Sequence, residues 1–110
     1  MTHEYVKLTK SEIEKLISLH SPREEIDILI EEMSELIKAL MKQRRRRKGV
    51  FPEHGITPEI CEEFVHVHIS LKVLRQIIED EDKNLGSDLW RRTLLYHADR
   101  KAEEIRELIK

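Results

Sequence analysis

The chain has 110 residues, of which 39% are hydrophobic and 38% charged, and 20 basic against 22 acidic side chains give a formal net charge of -2. This length fits one domain, residues 1–110, whose core is thin because a chain of about 100 residues buries only roughly two-thirds of its surface. No apolar run approaches the ~20 residues of a membrane span, and Met1 to Lys10 are too polar for a secretory signal. A single cysteine, Cys61, excludes an internal disulfide. We therefore expect a cytoplasmic protein that completes its core by homo-oligomerisation.

Few glycines and prolines, and abundant Glu, Lys, Arg, Leu and Ile, predict an all-α chain. Capping signals mark the helix starts: Thr9, Ser21 with the reciprocal acid Glu24, Thr57 and Ser87. Prolines follow two of these caps, and Gly49 is the natural stop of the second helix. The predicted helices cover residues 9–20, 21–49, 57–82 and 87–109, and we expect them to form a four-helix bundle.

The third predicted helix has apolar side chains on two opposed faces, at 100° per residue. One stripe runs from Ile60 to Ile78 and the other from Cys61 to Val73. A helix that is apolar on two sides lies centrally or at an interface. One stripe is expected to pack on the second helix, and the other on the fourth helix or on a second subunit.

Polar residues Glu63 and His66 lie between these stripes, while Glu25, Glu32 and Glu35 lie along one edge of the second helix. If the two helices pack antiparallel, both acidic edges face one groove. Carboxylates within ~5 Å of each other repel in a partly dry groove unless a cation lies among them, and Mg²⁺ prefers oxygen ligands. An acid in the first turn of a helix, such as Glu25, needs no function because it already favours the helix dipole.

These residues resemble the MazG family of all-α nucleoside triphosphate pyrophosphohydrolases, whose pattern is EExxE on one helix and ExxD on the next. The first half is intact here as EEMSE, Glu31–Glu35. The second half lies in EEFVHVHISLKVL, where Glu63 takes the glutamate place and His66 the aspartate place. The resemblance covers about residues 24–78.

The resemblance implies a small helical protomer that forms a dimer or tetramer and cleaves a nucleoside triphosphate between its α- and β-phosphates, releasing a monophosphate and pyrophosphate. Carried over to this chain, it implies that Glu32, Glu35 and Glu63 are catalytic carboxylates that bind Mg²⁺, with His66 as a further ligand. Glu31 matches the leading acid of the motif and is expected on the substrate side.

The histidine at position 66 departs from the family pattern. Imidazole brings no negative charge and suits Mn²⁺, Zn²⁺ and other transition metals better than Mg²⁺. Three alternatives follow: an active site with an altered metal preference, a site with fewer protein ligands, or a homologue that no longer catalyses. In the last case the protein is a non-catalytic helical oligomer that serves as a protein-interaction or nucleotide-binding module.

Five consecutive basic residues, Arg44 to Lys48, follow the second predicted helix. Two cations suffice to complement a helix dipole, and the run contains five. The last two, Arg47 and Lys48, are therefore candidates for binding substrate phosphates. Arg100 and Lys101 resemble basic residues that the family often has near its C-terminus. A nucleic-acid binder normally has a wider basic face with stacking aromatics, so nucleic acid is not the expected partner.

Overall fold

A computed structural model describes residues 5–45 and 55–110 of the chain. The described residues form helices and no strand, which confirms the all-α prediction. None of the described helices has the length and apolar character needed to cross a membrane. The helices are α1 (Lys10–His20), α2 (Pro22–Arg44), α3 (Pro58–Leu85) and α4 (Leu89–Leu108). The predicted stop at Gly49 lies outside the described residues.

Helix α1 begins and ends at its predicted residues. The Thr9 hydroxyl accepts a hydrogen bond from the Glu12 N–H at 3.1 Å, and the Glu12 carboxylate accepts one from the Thr9 N–H at 2.9 Å. Both halves of the capping box are therefore present. The helix buries Ile13 and Ile17 along its inner face.

Ser21 ends α1 and also caps α2, with no loop between the two helices. Its hydroxyl accepts the Glu24 N–H at 3.3 Å, but its own N–H donates to the Ile17 carbonyl at 2.8 Å. The predicted reciprocal bond to the Glu24 side chain is therefore wrong, because α1 already uses that N–H. Serving both helices requires φ of 80° at Ser21, a left-handed conformation that costs a non-glycine residue on the order of 1–3 kcal/mol.

The chain forms two compact units that divide between Leu74 and Arg75. In the first unit α1 packs against α2, and α2 runs antiparallel to α3. The antiparallel direction follows from two contacts, since Lys42 lies 3.4 Å from Glu59 and Glu32 lies 3.2 Å from His66. The described hydrophobic residues that are fully buried all belong to this unit: Val6, Ile13, Ile17, Leu29, Ala39, Ile60 and Val73.

The two apolar stripes of α3 are only partly buried. Ile60 and Val73, one from each stripe, are 7% and 2% exposed, whereas Phe64 and Leu71 are 48% and 47% exposed. The edge that meets α2 is the polar one, which contains His66. The expectation that an apolar stripe of α3 faces α2 is therefore only partly met, and much of the first stripe remains open.

The second unit contains the end of α3 and the whole of α4. Gly86, with φ of 64°, ends α3 in a Schellman motif: its N–H donates to the Lys83 carbonyl, and the Ser87 N–H donates to the Asp82 carbonyl. No residue of α4 is buried, although sequence periodicity predicts an apolar face there.

The N-terminus of α4 is capped by Asp82, a residue of the preceding helix. Its two carboxylate oxygens accept the N–H groups of Trp90 and Arg91, each at 2.9 Å. The predicted cap Ser87 instead donates its hydroxyl to Asp82 at 3.4 Å, so that prediction is wrong. Burial raises the pKa of Asp82, but the two N–H donors, Ser87 and the nearby Arg92 charge outweigh it, and the pKa lies below its ordinary value of 3.8.

We expect Asp82→Asn to lower the melting temperature by several degrees at neutral pH, because an amide offers one acceptor oxygen where α4 uses two. The pKa of Asp82 is lower in the folded protein than in the unfolded chain. The stabilisation is therefore complete at pH values above the pKa of the unfolded chain, and it is lost as the pH falls through the pKa of the folded protein. Circular dichroism melts of both proteins should therefore differ at neutral pH and converge in acid. Asp88→Asn is the control, because the Asp88 side chain makes no capping bond. An equal effect of both substitutions would contradict the assignment of Asp82 as the cap.

Candidate metal centre

Three side chains from α2 and α3 converge at the interface of the two helices. Glu32, Glu63 and His66 each offer one ligand atom, and these atoms all lie within 4.8 Å of one another. Nδ1 of His66 is 3.2 Å from a Glu32 oxygen and 3.6 Å from Oε2 of Glu63. The cluster exists because Glu63 and His66 are one turn apart on α3 and the antiparallel α2 brings Glu32 beside them.

Glu63 has an unusual environment for a carboxylate. Its side chain is 17% exposed, and its Oε2 is buried without a hydrogen-bond partner among the described residues. A buried polar atom without a partner costs about 1–3 kcal/mol, and more when the group is charged. Such an atom needs a positive or hydrogen-donating group close to it.

A divalent cation fits the donor set of this cluster. The three ligand atoms lie within 4.8 Å of one another, so Glu32, Glu63 and His66 are the residues that would hold such an ion. Two carboxylates and one imidazole are a mixed oxygen and nitrogen set, which suits Mn²⁺ and other transition metals better than Mg²⁺. The three residues could therefore hold a cation, and their nitrogen ligand suits a transition metal.

A groove of about 210 Å³ lies beside the cluster. Its volume is below the ~300–1,000 Å³ of a typical small-molecule site, so the groove has room for a small group only. Helix α1 supplies one wall, α2 and α3 the others. The lining residues are Leu16, His20, Glu25, Ile28, Glu32, His66, Ile69, Ser70 and Val73.

The groove contains a hydrogen-bonded pair that the sequence did not predict. Nδ1 of His20 is 2.7 Å from Oε1 of Glu25, whose side chain is only 5% exposed. In the sequence, Glu25 is explained by its position in the first turn of α2, where an acid interacts favourably with the helix dipole. His20 belongs to no motif that would suggest a partner for it. A signal was available, because Glu25 precedes Glu32 by seven residues and so shares its face of α2 two turns earlier.

Other predicted site residues lie apart from the cluster. Glu35 is exposed, and its Oε1 is 3.3 Å from Nζ of Lys38. Glu31 is also exposed, as expected from its 100° rotation away from Glu32. Glu25 and Glu35 were both expected to share the groove with Glu32. Glu25 lines the groove, whereas Glu35 lies outside it.

The basic candidates are either outside the described residues or in the second unit. Arg47 and Lys48 lie outside the described residues. Arg100 and Lys101 are on α4, where Arg100 donates to the Tyr96 hydroxyl at 3.1 Å and Lys101 pairs with Glu104 at 3.3 Å. Both contacts lie within α4.

We expect Glu63→Gln to raise the free energy of unfolding by about 1 kcal/mol when metal is removed with a chelator, because the amide carries no charge and can donate hydrogen bonds. Urea denaturation measures the change. Glu35→Gln is the matched control and should stay within about 0.5 kcal/mol of the native protein, since Glu35 is exposed. A destabilised Glu63→Gln protein would show that the carboxylate already has a stabilising partner.

Comparison with known proteins gives no family assignment. The chain matches no protein-family model, and neither the curated proteins nor the solved structures include a significant match to it. The motif order and the cluster of Glu32, Glu63 and His66 are therefore the features of the chain that bear on its function.

Proposed function

We propose that the protein is a metal-dependent nucleoside triphosphate pyrophosphohydrolase similar to the MazG family. The reaction adds water across the bond between the α- and β-phosphates, so that a nucleoside triphosphate gives a nucleoside monophosphate and pyrophosphate. The metal is a divalent cation held by Glu32, Glu63 and His66. In this proposal Mg²⁺ is accepted and Mn²⁺ preferred.

The observation that supports the proposal most is the convergence of the two motif halves on one point. Glu32 belongs to EEMSE and Glu63 to the second half of the pattern, and they are separated by more than 30 residues of sequence. Their carboxylates nevertheless lie in one cluster with His66, and Oε2 of Glu63 has no described hydrogen-bond partner. A purely structural helix interface would gain stability from apolar residues at these positions.

The chain's own residues supply the positions and charges that the reaction needs. A bound divalent cation would offset charge on the phosphate oxygens during phosphoryl transfer. Glu32 and Glu63, held on two rigid helices, would fix that charge at the α2–α3 interface. The adjoining groove has room for the phosphate end of the substrate, and Ile28 and Ile69 give it an apolar wall.

The hydrogen bond between His20 and Glu25 holds the wall of this groove in place. It joins the end of α1 to the first turns of α2, and the Glu25 carboxylate is almost fully buried beside the groove. In the proposed enzyme this pair is a positioning element, because it fixes the distance between α1 and the α2 face that contains Glu32.

We expect pyrophosphate release when a panel of nucleoside triphosphates is incubated with Mn²⁺ or Mg²⁺. Glu32→Gln and Glu63→Gln should each lower kcat/KM by roughly 100-fold or more, since each removes a charge that holds the metal. Glu14→Gln is the control, because Glu14 is an exposed residue of α1 that pairs with Lys10. No turnover with either metal, together with no metal-dependent nucleotide binding, would overturn the enzyme proposal.

We expect His66→Asp to bind Mg²⁺ roughly tenfold more tightly and to lose the preference for Mn²⁺, because a carboxylate replaces a neutral nitrogen ligand. Isothermal titration with each metal measures both changes, and metal-dependent melting gives an independent check. Unchanged affinity for both metals would show that His66 lies outside the metal site.

The alternative function is a non-catalytic helical oligomer that binds a protein partner or a nucleotide. Its specific support is the contact of His66 with both carboxylates, because a protonated imidazole would itself offset their charge without a metal. Under this alternative, metal leaves the melting temperature of the native protein unchanged. Under the proposed function, metal raises it, and Glu63→Gln abolishes the increase.

A further inference from the structure

The groove beside the metal cluster has a second polar end, away from the cluster. Beyond Glu32 and His66 it is lined by three polar residues, which we call the inner polar set: His20, Glu25 and Ser70. Glu25 precedes Glu32 by seven residues on α2, which is about 10 Å at ~1.5 Å per residue. Ser70 follows His66 by four residues on α3, which is about 6 Å. Because the two helices are antiparallel, both steps lead away from the cluster in the same direction.

Ser70 has a hydroxyl that lacks a partner although the residue is buried. The residue is 9% exposed, and its hydroxyl makes no hydrogen bond within the part of the chain that the structure describes. Ser34 and Thr93, by contrast, each donate to the carbonyl four residues before them. A hydroxyl both donates and accepts, and burying it without a partner is costly. The groove wall at Ser70 therefore suits a ligand that offers a hydrogen bond.

The pair of His20 and Glu25 also has hydrogen-bonding capacity that it does not use. Nδ1 of His20 lies 2.7 Å from Oε1 of Glu25. An imidazole has two nitrogen atoms and a carboxylate has about four acceptor sites, so this bond occupies one of each. Nε2 of His20 makes no hydrogen bond with the described residues. The inner polar set as a whole can therefore both accept and donate.

The inner polar set is unsuited to a phosphate group. The Glu25 side chain is only 5% exposed, and a phosphate beside it would bring two negative charges together where little water can screen them. Among the described residues that line the groove, there is no lysine or arginine to offset that charge. A phosphate therefore belongs at the other end of the groove, where Glu32, Glu63 and His66 could hold a cation.

A nucleobase is also a poor match for the inner end. Proteins that bind bases commonly stack aromatic rings or guanidinium groups on them. The apolar walls of this groove are aliphatic, formed by Leu16, Ile28, Ile69 and Val73. A groove of about 210 Å³ is too small for a base together with the sugar that carries it. The inner end therefore suits one small ring with hydroxyl groups.

A ribose has this chemistry. Its hydroxyls donate to a carboxylate and accept from a serine or an imidazole, and a carboxylate that binds ribose hydroxyls recurs in dinucleotide-binding proteins. The carbon atoms of the ring can contact the aliphatic walls. A ribose is joined to its α-phosphate through one oxygen and one carbon. With the α-phosphate at the cluster, the ribose of a nucleotide would therefore lie near Ser70, the nearer member of the inner polar set.

We propose that His20, Glu25 and Ser70 bind the ribose of the nucleotide, and that the base stays outside the groove. This inference rests on the proposed function, and it names the part of the substrate that the groove recognises. Such a site distinguishes nucleotides by their sugar hydroxyls and accepts different bases.

Isothermal titration with nucleotides that resist cleavage tests the proposal. The probes are α,β-methylene adenosine triphosphate and its 2′,3′-dideoxy analogue, each with Mn²⁺. We expect the native protein to bind the ribonucleotide roughly tenfold more tightly or better, because a site built for a hydroxyl is left with unpaired polar groups when the hydroxyl is missing. Exchange of adenine for cytosine in the ribonucleotide should leave the affinity nearly unchanged.

Ser70→Ala removes one hydroxyl with little risk to the fold, because alanine is the better helix former. We expect it to lower the affinity for the ribonucleotide roughly threefold to tenfold and to leave that for the dideoxy analogue unchanged. Glu25→Gln should also reduce the preference for the ribonucleotide, and circular dichroism establishes that this variant remains helical. Glu24→Gln is the matched control and should keep the full preference, since Glu24 is exposed and lies outside the groove.

Equal affinity of the native protein for the two analogues, or no binding of either, would overturn the ribose site. A preference for the ribonucleotide that survives both Ser70→Ala and Glu25→Gln would overturn it as well. Pyrophosphate release from the two cleavable triphosphates is measured separately. Release from both with equal kcat/KM contradicts the ribose site and leaves the proposed function intact. Binding with a preference that Ser70→Ala reduces, without release from either, supports the ribose site and contradicts the proposed function.

Discussion

Helices α2 and α3 meet through a polar edge, and this contact determines where the other surfaces lie. Glu32, Glu63 and His66 occupy positions that an ordinary helix pair would fill with apolar side chains. Much of the apolar surface of both helices is consequently rotated away from the contact. Part of it is buried within the first unit, and part, such as Ile37 and Leu71, remains about half exposed. The carboxylate cluster and the open apolar face are therefore two results of the same packing.

The junction between α1 and α2 makes the covered side rigid. Ser21 serves as a cap for both helices and has no loop on either side, so the direction of α1 is fixed by one residue in a left-handed conformation. The pair of His20 and Glu25 adds a second attachment across the same junction. A groove bounded by these elements keeps its shape, which is what a site for a charged ligand needs.

Local signals in the sequence predicted helix ends well, and contacts between helices account for the errors. The caps at Thr9, Ser21 and Thr57 act within four residues, and they mark the observed starts. The cap of α4 is Asp82, eight and nine residues before the N–H groups that it binds, so spacing rules favoured Ser87 instead. For the candidate site, periodicity placed acidic residues along one edge of α2, and the resemblance selected Glu32, Glu35, Glu63 and His66. The structure places Glu25 in the groove and not Glu35, because the position of the groove along α2 depends on α1.

Stability gives a reason why the cluster and the open face belong together. The described part of the chain has only seven fully buried hydrophobic residues, and it also holds a buried carboxylate oxygen without a hydrogen-bond partner. Both features lower the stability of an isolated chain. A cation bound only by the folded state would add stability that grows with the logarithm of its concentration, and the homo-oligomer expected from the sequence would bury exposed apolar side chains of α2 and α3. The proposed metal and the expected oligomer would thus supply the two kinds of interaction that the single chain lacks, one electrostatic and one hydrophobic.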